Sequence, residues 1–345
     1  MGLPTACEIN IKNRFPKGER NLITDVPGVR VGHVTREDAG RSIHTGVTAI
    51  LPHTGNLFLD KVMAGACVIN GFGKSTGLVQ VDELGTIEAP ILMTNTFGVG
   101  TGLNAAVKYM LEQNPDIGTT TGTVNCVVTE CNDGSLNDIR GMHLKEEDVW
   151  QAIETASEDF AEGAVGGGTG MICMGLKGGI GSASRIITCD GKPYTLGAIV
   201  MSNFGVKGNL RIDGVRVPMP EEEHKENGSV IIVLATDIPL NERQLRRVAR
   251  RAVVGLARVG SYLGNGSGDI AIAFSNANRI PHYSEQDILP VRMFHDSAMD
   301  KLFEATAEAV EEAVISSLYH SRTMVGIRDK KVKGLRELCH KNERD

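Results

Sequence analysis

No two cysteines in this chain are spaced as Cys-x-x-Cys. The seven, Cys7, Cys67, Cys126, Cys131, Cys173, Cys189 and Cys339, are scattered and odd in number, which argues against a disulfide framework or zinc site and for a reduced compartment. No histidine pair stands at i, i+4 beside an acid, so neither a metal nor a cofactor is expected. Positive charge is not in excess, since 36 Lys+Arg against 42 Asp+Glu leave a formal net charge of −6. Such a chain has no broad cationic field for nucleic acid or an anionic membrane, and small molecules are the expected partners. No apolar run approaches membrane-spanning length, and the first residues turn polar at once (Glu8, Asn10, Lys12, Asn13, Arg14) where a signal peptide would be apolar. A cytoplasmic protein is expected. There is also no internal repeat and no linker, so the simplest organisation of the 345 residues is one large α/β domain over 1–345, with two packed sheets and helices outside.

What the chain has in plenty is glycine, 41 residues without a fixed period, set among Val, Ile, Ala and Met as in a globular protein with many tight turns. Two glycine-rich stretches imitate nucleotide loops and fail on one position each. Gly71-Phe72-Gly73-Lys74-Ser75-Thr76-Gly77 has Val68 where a phosphate loop needs its first glycine. Gly98-Val99-Gly100-Thr101-Gly102 has Leu103 where a dinucleotide fingerprint needs its third, although it still reads as strand, turn and helix. Residues 1–20 read as a loosely held arm, the segment from Lys330 as a frayed basic tail, and Asn241-Glu242-Arg243-Gln244 as a capping box opening an amphipathic helix with an arginine-rich outer face. A second helical face runs over Leu144, Val149, Ala152, Ile153, Ala156 and Phe160.

The most informative stretch is Asn227-Gly228-Ser229 followed by Val230 to Ala235. The apolar run does not alternate, as in a strand buried on both faces, and the polar Glu221 to Glu226 before it reads as an exposed loop. A serine at that threshold can attack the carbonyl of the glycine before it. Self-cleavage there would leave Ser229 as a new N-terminus, its hydroxyl beside an α-amine whose ordinary pKa of about 8 suits a base. A plain turn explains the same Gly-Ser pair.

Three other polar residues fall at strand ends. Asn203 follows Leu196 to Ser202, and Ser267 and Asp269 precede Ile270 to Phe274. Together they would provide an oxyanion donor and a hydrogen-bond relay beside Ser229, while taken singly each also fits a turn or a loop. Val124 to Glu130 is a further strand, delivering a carboxylate to its end.

These segments together resemble the L-aminopeptidase/D-esterase and β-peptidyl aminopeptidase family of self-cleaving serine peptidases. The resemblance lies in DVPGVRVGH, TNTFGVGTG, TECNDGSLNDIRG, GTGMICMGLKGGIGSASR, VMSNFG, NGSVIIVLATDIPL, LARVGS and GNGSGDIAIAFS, in family order across residues 24–276. It implies a four-layer α/β/β/α sandwich of the N-terminal-nucleophile type, cut between Gly228 and Ser229 into 1–228 and 229–345. It implies Ser229 as nucleophile, Asn203 at the oxyanion, Ser267 and Asp269 as supporting pair, and Glu130 and Asn132 as substrate-binding residues, with Glu130 on the free amine of a small peptide, amide or ester. A homo-oligomer, a tetramer by the same likeness, is implied too. Two departures stand out. Some members carry glutamate where this chain has Asp269, and the position of Asn132 can be aromatic. An acyltransferase like the ornithine acetyltransferases, which the resemblance gives a threonine nucleophile, and a ligand-binding module using the glycine loops as anion nests are the competing readings.

Overall fold

The computed structural model describes residues 11–219 and 226–339, and two sheets lie face to face at its centre. The larger has six strands in the order Thr86–Ile87, Asp60–Gly71, Gly266–Pro281, Asn227–Thr236, Lys192–Asn203 and Gly179–Cys189. The smaller has four, in the order Arg30–Asp38, Ile43–Leu51, Ile91–Asn95 and Val127–Cys131.

The unbroken apolar run after Ser229 is explained by this stacking. Val230, Ile232 and Leu234 point to a core shared with the helices Glu242–Arg258 and Met299–Tyr319. Ile231, Val233 and Ala235 point the other way, into a core shared with Ile50, Ile91, Met93 and Val127 of the smaller sheet. A third core, with Leu92, Ala106, Val128 and Val149, joins the smaller sheet to the helices Val99–Gln113 and Glu146–Glu154. Three cores between four layers make the expected α/β/β/α sandwich. The Ser229 strand therefore alternates between two interiors, and both faces must be apolar.

The strands Asn227–Thr236 and Gly266–Pro281 run parallel, which demands a crossover longer than a hairpin. The helix Glu242–Arg258 supplies it. Its start is fixed as expected, with the Asn241 side chain accepting from the Gln244 amide at 2.9 Å in a capping box. Its arginines stay on the outer, solvent-facing side, where some of them pair with acids of neighbouring elements. Arg246 meets Asp82, Arg258 meets Glu311, and Arg243 meets Asp296 at 2.7 Å.

Three expectations about the edges change. Residues 11–20 are not a loose arm, because Lys17 pairs with Glu312 at 2.6 Å and the Gly18 amide donates to Ser184 Oγ. The reason is a buried charge cluster in which Arg185 bridges Glu308 and Glu312, leaving a surplus of carboxylate that the arm's cation offsets. The segment from Lys330 is ordered through residue 339, since Lys331–Val332 pairs with Met324–Val325 and Val332 and Leu335 are buried. The helix over 144–160 is shorter than its apolar pattern, ending at Glu154, and Phe160 packs against the inter-sheet core instead. Residues 1–10 lie outside the described residues. Among the described residues no helix is long and apolar enough to cross a membrane.

Candidate active site

Ser229 sits at the start of a strand in the middle of the larger sheet, flanked by both strands that carry its expected partners. Across the antiparallel register it faces Asn203, and across the parallel register Gly228 faces Ser267 and Val230 faces Asp269. The four residues that were separate in sequence are thus brought to one end of three adjacent strands. Ser229 is buried, and its hydroxyl donates to the Gly228 carbonyl oxygen at 2.5 Å. Gly228 has φ +128°, a conformation that L side chains rarely adopt, and a Cβ there would run into the Asn203 carbonyl oxygen. Only glycine holds the carbonyl on the side of the following hydroxyl.

The neighbouring strand presses close on the hydroxyl. A Cβ on Gly268 would lie 2.5 Å from the Phe72 carbonyl oxygen and 3.1 Å from Ser229 Oγ, so the missing side chain leaves Oγ its space. Ser267 Oγ donates to Asp269 Oδ1 at 2.6 Å, and both residues are fully buried. Among the described residues the second oxygen, Asp269 Oδ2, has no hydrogen-bond partner. Burial pushes this carboxyl up to about 6, the Ser267 hydroxyl draws it down, the charge of Glu226 raises it and the Val230 amide lowers it by less.

That shift has a definite pH consequence. If ionised Asp269 is the acceptor that orients Ser267, turnover should fall as pH drops through about 6, well above an ordinary aspartate. Because the folded-state value exceeds the unfolded one, ionisation costs stability, and this group's contribution is lost as pH rises from about 4 through about 6. Asp269→Asn should therefore slow catalysis, remove the part of the acid limb centred near 6 while leaving the part set by the Ser229 α-amine, and raise thermal stability at pH 8 by on the order of 2 kcal/mol. A rate profile flat down to pH 4.5 in the wild type would remove Asp269 from the relay.

Asn203 closes its own strand, with its carboxamide held in one orientation. Its Oδ1 accepts from the Ile172 amide at 2.9 Å and its Nδ2 donates to the Asn132 carbonyl at 3.1 Å. An amide nitrogen carries two hydrogens, so one N–H remains for an oxyanion. Lys177, fully buried, steadies the turn that presents Ile172, donating to the carbonyls of Met171 at 2.8 Å and Gly178 at 2.6 Å. Burial pushes its ammonium down to about 7. Asn203→Ala should lower kcat by about 10²–10³ with a smaller change in KM. Steady-state kinetics on processed protein check this, and a kcat near wild type would remove Asn203 from the site.

Glu130, on the smaller sheet, reaches the same region from across the inter-sheet core. Its Oε1 accepts from the Lys74 amide at 2.9 Å and its Oε2 from Thr96 Oγ1. Gly73 lies between the two halves of the site, since a Cβ there would be 3.6 Å from Glu130 Oε1 and 3.9 Å from Gly268 Cα. Glu130 is buried, and among the described residues no cation pairs with it. Asn132 is exposed, and its side chain caps a turn by accepting from the Gly134 amide at 2.9 Å, while its carbonyl holds Asn203.

Sequence reasoning missed several contributors. The 71–76 segment, rejected as a phosphate loop, supplies a backbone donor to Glu130 and the carbonyl that packs on Gly268. Thr96, two residues before the failed dinucleotide fingerprint, supplies the second donor. The failure of both fingerprints was itself a signal, because glycine-rich strand ends that bind no phosphate still bring backbone close to something. Glu226, read as exposed loop, is buried, and the remainder of that stretch, 221–225, lies outside the described residues. No cluster of three or more His, Cys, Asp or Glu placed to hold a metal ion occurs among the described residues.

A serine at the threshold of a central strand, in a four-layer α/β/β/α sandwich, defines the class of N-terminal-nucleophile hydrolases. The chain belongs to peptidase family S58, which residues 21–332 match. It is 38% identical over 351 residues to a beta-peptidyl aminopeptidase of Sphingosinicella microcystinivorans, covering 94% of this chain and 87% of that protein. Its structure is similar to that of a Pyrococcus horikoshii protein with TM-score 0.91 and 53% identity, over 97% of each chain. It is also similar to the L-aminopeptidase D-Ala-esterase/amidase of Ochrobactrum anthropi, described as a variant of the Ntn hydrolase fold, with TM-score 0.87 and 36% identity over 99% of each chain. The expected resemblance and fold are both borne out, and the chain is a serine aminopeptidase of the N-terminal-nucleophile class. The acyltransferase and binding-module readings have no support among these relatives.

Proposed function

We propose that the chain cuts itself between Gly228 and Ser229 and that the freed Ser229 then removes the N-terminal residue from small peptides, amides or esters. The observation that carries this is Ser229 Oγ lying 2.5 Å from its own upstream carbonyl oxygen, between Asn203 and the Ser267–Asp269 pair. In the first reaction Oγ adds to the Gly228 carbonyl carbon. Its proton passes to the Ser229 nitrogen as the C–N bond breaks, leaving Gly228 esterified on Oγ. Water hydrolyses that ester, giving a Gly228 carboxylate and a free Ser229 with both hydroxyl and α-amine.

In the second reaction the α-amine takes the Oγ proton as Oγ attacks the substrate carbonyl. Asn203 donates its spare N–H to the oxyanion, and Ser267 on Asp269 orients the nucleophile. The proton returns to the leaving amine or alcohol, and water releases the N-terminal residue from Oγ. Glu130 meets that residue's ammonium, and Asn132 leaves a polar rim. The pieces 1–228 and 229–345 would stay together, because the second contributes two central strands of the six-stranded sheet between strands of the first. We read the protein further as a cytoplasmic homo-oligomer, tetrameric by family likeness. Exposed apolar side chains such as Val79, Leu84, Ile288 and Met293 offer surface for that contact.

The relatives' names cover β-peptidyl, L-amino and D-Ala substrates. A release assay across amides of L-α-, D-α- and β-amino acids assigns this chain's preference. Absence of release from all three would overturn the reading.

A further inference from the structure

Glu226 stands two residues before the proposed cut and is only 2% exposed. It is clamped at three points. Ser261 Oγ donates to its Oε1, the Tyr262 amide donates to its Oε2 at 3.0 Å, and its own amide donates to Tyr262 Oη at 2.9 Å. Gly264 packs against it so closely that a Cβ there would run into the Glu226 carbonyl oxygen. The clamp is itself fixed to the end of the crossover helix, since the Ser261 amide donates to the Leu256 carbonyl at 3.1 Å and the Leu263 amide to Ser261 Oγ at 3.1 Å.

This geometry ties together two segments that are remote in sequence. On one side are residues 226–228, which carry the carbonyl to be attacked. On the other are residues 261–266, which lead directly into Ser267 and Asp269. The pairings Asn227 with Gly266 and Gly228 with Ser267 begin immediately after the clamp. Among the described residues no cation pairs with Glu226, and burying a carboxylate on neutral donors costs free energy, so an apolar residue would be the cheaper anchor if holding the chain were all that mattered. A carboxylate with both oxygens engaged fixes direction as well as position.

We propose that Glu226 is a positioning residue for self-cleavage, holding Gly228 in register with Ser267 so that its carbonyl stays beside Ser229 Oγ. This rests on the cut between Gly228 and Ser229. Once the bond is broken, Glu226 holds only the new C-terminus, and what remains of its influence on the aminopeptidase reaction is its charge near Asp269, which is felt around pH 6 and not at pH 8.

The test is an intact-mass time course on freshly purified full-length protein. Glu226→Ala should be processed about 100-fold more slowly than wild type, the scale of a misplacement near 1 Å. Glu226→Gln should stay within about tenfold, because its amide oxygen can accept from Tyr262 and its nitrogen can donate to Ser261 Oγ. After processing is complete, Glu226→Ala should show wild-type kcat and KM at pH 8. In a Ser229→Ala background, where nothing is cut, it should melt with the parent. Glu226→Ala processing at the wild-type rate would overturn the proposal, as would slow processing accompanied by a collapsed melting temperature or an equal loss of mature activity. Should Glu226→Ala fail to fold, Tyr262→Phe removes one acceptor alone and should slow the cut several-fold, with an unchanged rate overturning the proposal. A wild-type chain that stays uncut would overturn self-cleavage itself, a result distinct from wild-type cutting with an indifferent Glu226→Ala.

Discussion

Ser229→Ala should yield one polypeptide of 345 residues with no aminopeptidase activity, while the wild type resolves into two pieces that end at Gly228 and begin at Ser229. The expected effect is total for processing, because the attacking oxygen is the atom removed. Ser267 stands opposite Gly228, but its hydroxyl is engaged with Asp269 Oδ1 and does not belong to the residue that follows the bond. Asp269 has an oxygen unpartnered among the described residues, but it is held in the relay with Ser267 on the adjacent strand, opposite Val230 rather than Gly228. The substitution should barely disturb folding, since among the described residues Ser229 Oγ makes its hydrogen bond to the preceding residue and none to another strand. Intact-mass measurement decides the matter. A wild type that remains a single active polypeptide would sink the mechanism, and a cut elsewhere would indicate ordinary proteolysis of an exposed loop.

N-acetylated substrates should be refused by the processed enzyme, and Glu130→Gln should raise KM for free-amine substrates about 10–100-fold. The magnitude is that of a hydrogen bond to a charged group, about 1.5–3 kcal/mol. Glu130 is buried and has two neutral donors, the Lys74 amide and Thr96 Oγ1, with no cation among the described residues. Two hydrogen bonds hold the carboxylate in place and leave its charge uncompensated, and a substrate ammonium would complete it. Glutamine keeps the size and one acceptor oxygen but removes the charge, so binding should suffer more than kcat. Self-cleavage should proceed normally in Glu130→Gln, since no amine is bound in that reaction. Equal turnover of acetylated and free substrates would overturn the role of Glu130 in recognising the amine, even with Ser229 as nucleophile.

Much of the site was legible because it consists of strand ends. A run such as Val230 to Ala235 announces a buried strand, and a serine at its threshold is conspicuous by contrast. Asn203, Ser267, Asp269 and Glu130 stand out for the same reason, each a polar residue abutting an apolar run. The family likeness then assigned them common work. Asn132 was less well served, since its side chain turns to Gly134 and it is the backbone carbonyl that meets Asn203. Glu226 was misread because three glutamates, a histidine and a lysine precede it, and composition averages over neighbours that the fold separates.

Local pattern determined by itself most of the strands, though not the glycine-rich Gly179–Cys189, and also that the central one is buried on both faces and which residue opens it. Period and polarity are properties of neighbours along the chain, and they survive without a fold. Only the tertiary structure decided that Gly228 stands beside Ser267, that the Lys74 amide and Thr96 reach Glu130, and that Glu226 is a buried clamp on Ser261 and Tyr262. These contacts join residues 34 to 56 positions apart in sequence. They exist because packing two sheets and a crossover helix leaves each donor one acceptor within reach, a choice made by geometry in three dimensions and written in no single stretch of chain.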